Sequence, residues 1–195
     1  MVWALILSGV LTSTPVINEV SWGNLQWVEI YNPHDAPIHL DGWTLKNSRG
    51  SDPLYGTIPP RGYAVIVTSQ YEFEQIYPNT GATIIEVPDG VIGSGLTSND
   101  LLLLVNPHGD VVDFVNWGDP DPTWPNYLPQ VWSPGIQTHQ TVIGRIPNGY
   151  DSDQPFDWRG IRVPTPGSEN LLTTGLTPAS WGKIKAIFSI QRRSF

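Results

Sequence analysis

Apolar residues in this chain arrive in short bursts of about five to seven, and glycine or proline closes nearly every one of them. With 19 Gly and 19 Pro in 195 residues, long helices are excluded. Proline removes a backbone donor, and glycine inside a helix carries an entropic cost. The same two residues in abundance can also mark disorder. Here the segments between them are apolar and β-branched, as in Tyr63-Ala64-Val65-Ile66-Val67, so ordered strands separated by turns are the expectation.

Charge narrows the partners. There are 18 acidic and 10 basic residues. All the acids precede residue 171, whereas Lys183, Lys185, Arg192 and Arg193 follow it. An acidic body repels phosphate backbones, which argues against nucleic acid as a partner. Membrane contact is expected only through the basic tail, if at all. Cysteine is absent, and with it disulfides, thiolate metal sites and thiol nucleophiles.

Residues 2–11 form an apolar run of signal-peptide length, followed by the small residues Ser13 and Thr14. A positively charged start and an Ala-x-Ala site are missing, so residues 1–14 read either as a shortened export leader or as a first strand. Export is the favoured reading, with extracellular or cell-surface localisation. At the other end Trp181, Ile184, Ile187 and Phe188 recur at helical spacing, with Arg192 and Arg193 behind them. Residues 171–195 are therefore a candidate anchoring or sorting tail.

Between the ends, strands are expected over residues 14–20, 27–32, 40–45, 63–67, 82–87, 100–105, 111–117 and 141–146. The strands at 27–32 and 40–45 read as a pair joined by a Pro-containing turn. Asn106-Pro107-His108-Gly109 makes the 101–105 and 111–117 strands a hairpin. Tyr71 to Tyr77 is the one internal segment with helical spacing, and Pro78 ends it. This pattern predicts an all-β fold, an antiparallel β-sandwich spanning residues 15–170.

A set of motifs in fixed order makes this sharper. They are Val16-Ile17-Asn18-Glu19-Val20, Trp27 to Pro33, Leu40-Asp41-Gly42-Trp43-Thr44-Leu45, Ile58-Pro59-Pro60-Arg61-Gly62-Tyr63 and Leu96-Thr97-Ser98-Asn99-Asp100. Gly109-Asp110-Val111-Val112-Asp113, Arg145, Asp151-Ser152-Asp153 and Thr165-Pro166-Gly167-Ser168-Glu169-Asn170 complete the order. In these motifs the chain resembles the lamin-tail domain (LTD) family. The resemblance implies an immunoglobulin-like sandwich without catalytic activity. With no heptad repeat ahead of the domain, the exported bacterial type is expected rather than a nuclear lamin.

Within that resemblance Glu29, Asn32, Gly42, Trp43 and Arg145 read as structural signature residues. A half-buried Glu29 needs a partner, and Arg145 is the candidate. Asp119, Asp121, Asp151 and Asp153 are the candidate metal ligands, since calcium takes alternating loop carboxylates. Neither run has the glycine and terminal glutamate of an EF-hand loop. His34, His39, His108 and His139 are scattered, with no triad-like or metal-like spacing. No enzyme is expected.

Trp117, Trp124, Tyr127 and Trp132, interleaved with prolines, form the candidate binding surface, because planar rings stack on sugars and anchor protein partners. The rival reading has them packing over one end of the sandwich. The function expected is an exported binding or structural module for a protein or a cell-surface polymer. Alternatives are a carbohydrate-binding module using loop 117–132 and an accessory domain of a secreted hydrolase.

Overall fold

A computed structural model describes residues 14–118, 124 and 141–171. In chain order the strands are β1 (Val16–Ser21), β2 (Trp27–Tyr31), β3 (Ile38–His39), β4 (Thr44–Asn47), β5 (Ser51–Pro53), β6 (Thr57–Ile58) and β7 (Tyr63–Val67). Helix α1 (Gln70–Ile76) precedes β8 (Thr83–Glu86), β9 (Asp100–Val105), β10 (Val111–Trp117), β11 (Val142–Arg145) and β12 (Trp158–Gly160). A six-stranded sheet, β12-β11-β1-β2-β7-β8, faces a four-stranded one, β10-β9-β4-β5, while β3 and β6 form a small ribbon. This is the expected immunoglobulin-like sandwich.

Side chains of the two sheets meet between the layers. Ile17, Val20, Val28, Ile30 and Ile66 pack with Leu45, Leu102, Leu104 and Val115 in one fully buried cluster. Each such side chain contributes about 1.5–3 kcal/mol when taken from water. A β-bulge at Asn18 sets this arrangement. Ile17 pairs with Ile30, Glu19 with Glu29 and Val20 with Val28, so the extra residue lets Ile17 and Val20 both point inward although they are three apart.

The outer face of the larger sheet is also covered. Trp27, Val65 and Val67 lie under Phe73 of α1, with Trp27 edge-on to Phe73 at 6.2 Å. That explains why β2 is buried on both faces along most of its length, where alternation predicts one apolar face. The helix starts at Ser69, whose hydroxyl accepts the Glu72 N–H at 3.3 Å. It carries the chain across the sheet, so β8 joins β7 in parallel. Among the described residues this pair is the parallel exception to the antiparallel pattern.

The expected hairpin of β9 and β10 is present, pairing Val111 with Val105 and, past a bulge between Val111 and Asp113, running in register from Asp113↔Leu104 to Trp117↔Asp100. The expected pairing of 27–32 with 40–45 is not. β2 belongs to the six-stranded sheet and β4 to the four-stranded one. Asn32 is the reason. Its Nδ2 donates to the carbonyls of Ala36 at 2.8 Å and Pro59 at 2.9 Å, and its Oδ1 accepts the His34 N–H at 2.9 Å. These bonds replace ladder partners and turn the chain out of one sheet. Gly42, at φ +82, turns it again into the other. Among the described residues no helix is long and apolar enough to cross a membrane.

Candidate functional site

Arg145, the last residue of β11, is 1 % exposed and holds the densest polar cluster. Its Nη2 donates to Asp113 Oδ1 at 2.8 Å and its Nε to the Ile17 carbonyl at 2.8 Å. Nη1 donates to the Tyr150 carbonyl at 3.0 Å and to Asp151 Oδ1 at 2.9 Å, with Asp157 Oδ2 at 3.6 Å. The guanidinium lies 4.7 Å over the Trp158 ring. One side chain thus ties β1, β10, β12 and loop 150–157 together, and through β10 it joins the two sheets. A planar fork with five donors suits this task, and a lysine would not.

Each acid around Arg145 is also bonded to backbone. Asp113 accepts the Ile17 N–H at 2.6 Å and the Phe114 N–H at 2.7 Å. Asp157 accepts the Ser152 N–H and hydroxyl, both at 2.7 Å. Burial pushes the Asp113 carboxyl up to about 7 against the opposing pull of Arg145. Burial, with Asp151 nearby, also raises Asp153. The expected Glu29–Arg145 bridge is absent, because Arg145 lies toward the inter-sheet side and Glu29 toward the outer face.

Glu29 belongs to a second cluster. It sits directly across from Glu19 on the neighbouring strand, and both are fully buried. Asn18 Nδ2 donates to Glu29 Oε1 at 2.7 Å, and the Gly167 N–H to Oε2 at 2.6 Å. The Thr165 N–H is 3.3 Å from both oxygens of Glu19. The Thr-Pro-Gly motif therefore lies over the two carboxylates as a strap. Burial raises Glu19 to about 8. It raises Glu29 well above the usual range, with Glu19 adding to the effect and Asn18 and Gly167 opposing it.

Of the four aromatic residues expected to bind, two have described positions, and both rings are buried, Trp117 between the sheets and Trp124 on the outer face of the four-stranded sheet. Trp117 is 1 % exposed, stacks on Trp22 at 5.2 Å and donates its indole N–H to the Thr97 carbonyl at 2.7 Å. Trp124 is 8 % exposed and packs on Leu101, Leu103 and Phe114. Tyr127 and Trp132 lie outside the described residues, as do Asp119 and Asp121. Asp151 Oδ1 is held by Arg145 and by the Asp153 N–H. Among the described residues no three His, Cys, Asp or Glu side chains converge on a metal-sized space. Trp43 packs partly buried against the main core.

Sequence reasoning missed two exposed rings. Tyr150 is 52 % and Phe156 69 % exposed, on the loop that Arg145, Asp151 and Asp157 pin from below. An aromatic residue at each end of an acidic turn was the available signal.

The comparisons with known proteins agree with this architecture. The family model described as Lamin Tail Domain matches residues 11–119, more than half of the chain. No curated protein matches it.

Proposed function

Because the chain belongs to the lamin tail domain family, we propose that it is a non-enzymatic binding module outside the cell, presenting a rigid surface to a protein or cell-surface polymer. The observation that carries this reading is the loop 150–157. Its backbone is bonded to a buried guanidinium through the Tyr150 carbonyl, while Tyr150 and Phe156 face solvent. Rings held on a preformed loop lose little freedom on binding, which is what anchor residues need. The conspicuous titratable groups support it too: Arg145, Asp113, Glu19 and Glu29 are buried and tied to the scaffold.

Export rests on the apolar run at residues 2–11, and isolating the protein with intact Met1 from a cytosolic fraction would sink it. The carbohydrate-binding alternative keeps Tyr127 and Trp132 as its ring candidates. The test of binding is capture from cell-surface extract by the wild type, by a Tyr150→Ser/Phe156→Ser double variant and by Trp132→Ala, alongside a glycan array. Capture lost in the double variant alone is the expected result. Capture unaffected by that variant, or glycan binding lost only in Trp132→Ala, contradicts the reading.

A further inference from the structure

The strap over Glu19 and Glu29 carries its own record of where a proton sits. Asn170 Nδ2 lies 2.9 Å from the Asn18 carbonyl and 3.2 Å from the Arg145 carbonyl. Two acceptors fix that nitrogen as the donor and leave Oδ1 as an acceptor. Thr165 Oγ1 is 3.0 Å from Asn170 Oδ1 and 3.4 Å from Glu19 Oε2. A hydroxyl owns one hydrogen, and the nearer acceptor takes it. Toward Glu19 the hydroxyl then turns a lone pair. That contact is favourable when the carboxyl supplies the hydrogen.

The surroundings agree. Glu19 and Glu29 are cross-strand neighbours, and two buried carboxylates at one site resist joint ionisation. The ion pairs of the described residues are made by Arg49, Arg61 and Arg145 with other acids. We propose that residues 165–170 are a proton-held strap: a neutral Glu19 donates to Thr165 Oγ1 and keeps the strap seated, and loss of that proton lifts it from the sheet. One O–H bond breaks on opening, its proton passing to water or buffer, and reseating takes one proton back.

The facing groups favour this assignment. Tyr63 of β7 is raised to about 12 by burial and by Glu29, and it stays neutral. Tyr77, just after α1, is raised by burial and by Glu19. Asn148, in the turn after β11, is uncharged and bonds Asn18 at 2.9 Å. Glu169 of the strap itself is exposed. The Arg145 guanidinium is committed to Asp113, Asp151 and Asp157. Burial raises Glu19 from 4.5 to about 8, so the closed form binds the proton more tightly than the open one. The advantage of closure is complete below the ordinary carboxylate value and is lost as pH rises through about 8.

Two measurements test the strap. In the wild type, carbon-13 NMR of the Glu19 carboxyl across pH gives its midpoint directly, and a value near that raised level is expected. Amide exchange at Thr165 and Gly167, corrected for the intrinsic base-catalysed rate, is expected to lose protection about tenfold per pH unit between the ordinary carboxylate value and the raised midpoint, and to level off above it. Glu19→Gln keeps a neutral donor beside Thr165 and is expected to hold protection flat over the same range. A wild-type midpoint in the ordinary carboxylate range overturns the proposal. So does the same loss of protection in Glu19→Gln as in the wild type. If Glu19→Gln does not fold, the carboxyl titration alone decides.

Discussion

Gly167 shows how much one motif residue can carry. Its N–H holds Glu29, its φ is +80, and a Cβ built there would run into the Thr80 carbonyl oxygen. Gly167→Ala therefore combines backbone strain with a collision against main chain. Its expected cost is about 1–3 kcal/mol in urea unfolding, with faster exchange at the Thr165 amide. Unchanged stability would mean the strap is not seated as described. At this scale the sequence was partly legible. Glu29 and Arg145 were recognisable as buried polar residues needing partners, but the pairing was not. Choosing Asp113 over Glu29 depends on which face of a strand each occupies, and the bulge between Val111 and Asp113 shifts that face for β10.

Secondary structure elements followed local chemistry more closely. The β9–β10 hairpin was readable because Asn106 and Gly109 build its turn. Helix α1 was readable from spacing and from Pro78. Its N-cap is the natural probe: Ser69→Ala removes the acceptor for the Glu72 N–H and is expected to lower stability by about 1 kcal/mol in urea unfolding. Because α1 covers Trp27, the change should also appear in tryptophan fluorescence. The switch of residues 27–45 between sheets was not readable. Alternation assigns faces within a strand, but the side chain of Asn32 and the turn at Gly42 decide which sheet comes next. The short strands β3, β5, β6 and β12 had too few residues to show a period.

For the whole molecule, the two polar clusters give a stability profile with a definite sign. Burial raises both Glu19 and Asp113 above the ordinary carboxylate range, to about 8 and about 7. For a raised acid, stability is complete below the unfolded value and falls as pH climbs through the folded one. Thermal unfolding between pH 5 and 9 is expected to show a falling midpoint toward the alkaline end. A midpoint that rises over that range would contradict the assignment.

The architecture as a whole was legible because turn spacing and ordered motifs repeat over most of the chain. The site was less so, since of the rings that stand out in sequence Trp117 is taken by the core and Trp124 is buried against the outer face of the four-stranded sheet. The central claim is that the motif residues hold the scaffold and leave function to the surface loop they fix. Equilibrium unfolding of Arg145→Ala tests it most directly. Removing the guanidinium strands Asp113 and Asp157 in the interior, and the predicted loss is about 3–5 kcal/mol, up to failure to fold. An unfolding free energy equal to that of the wild type would contradict it.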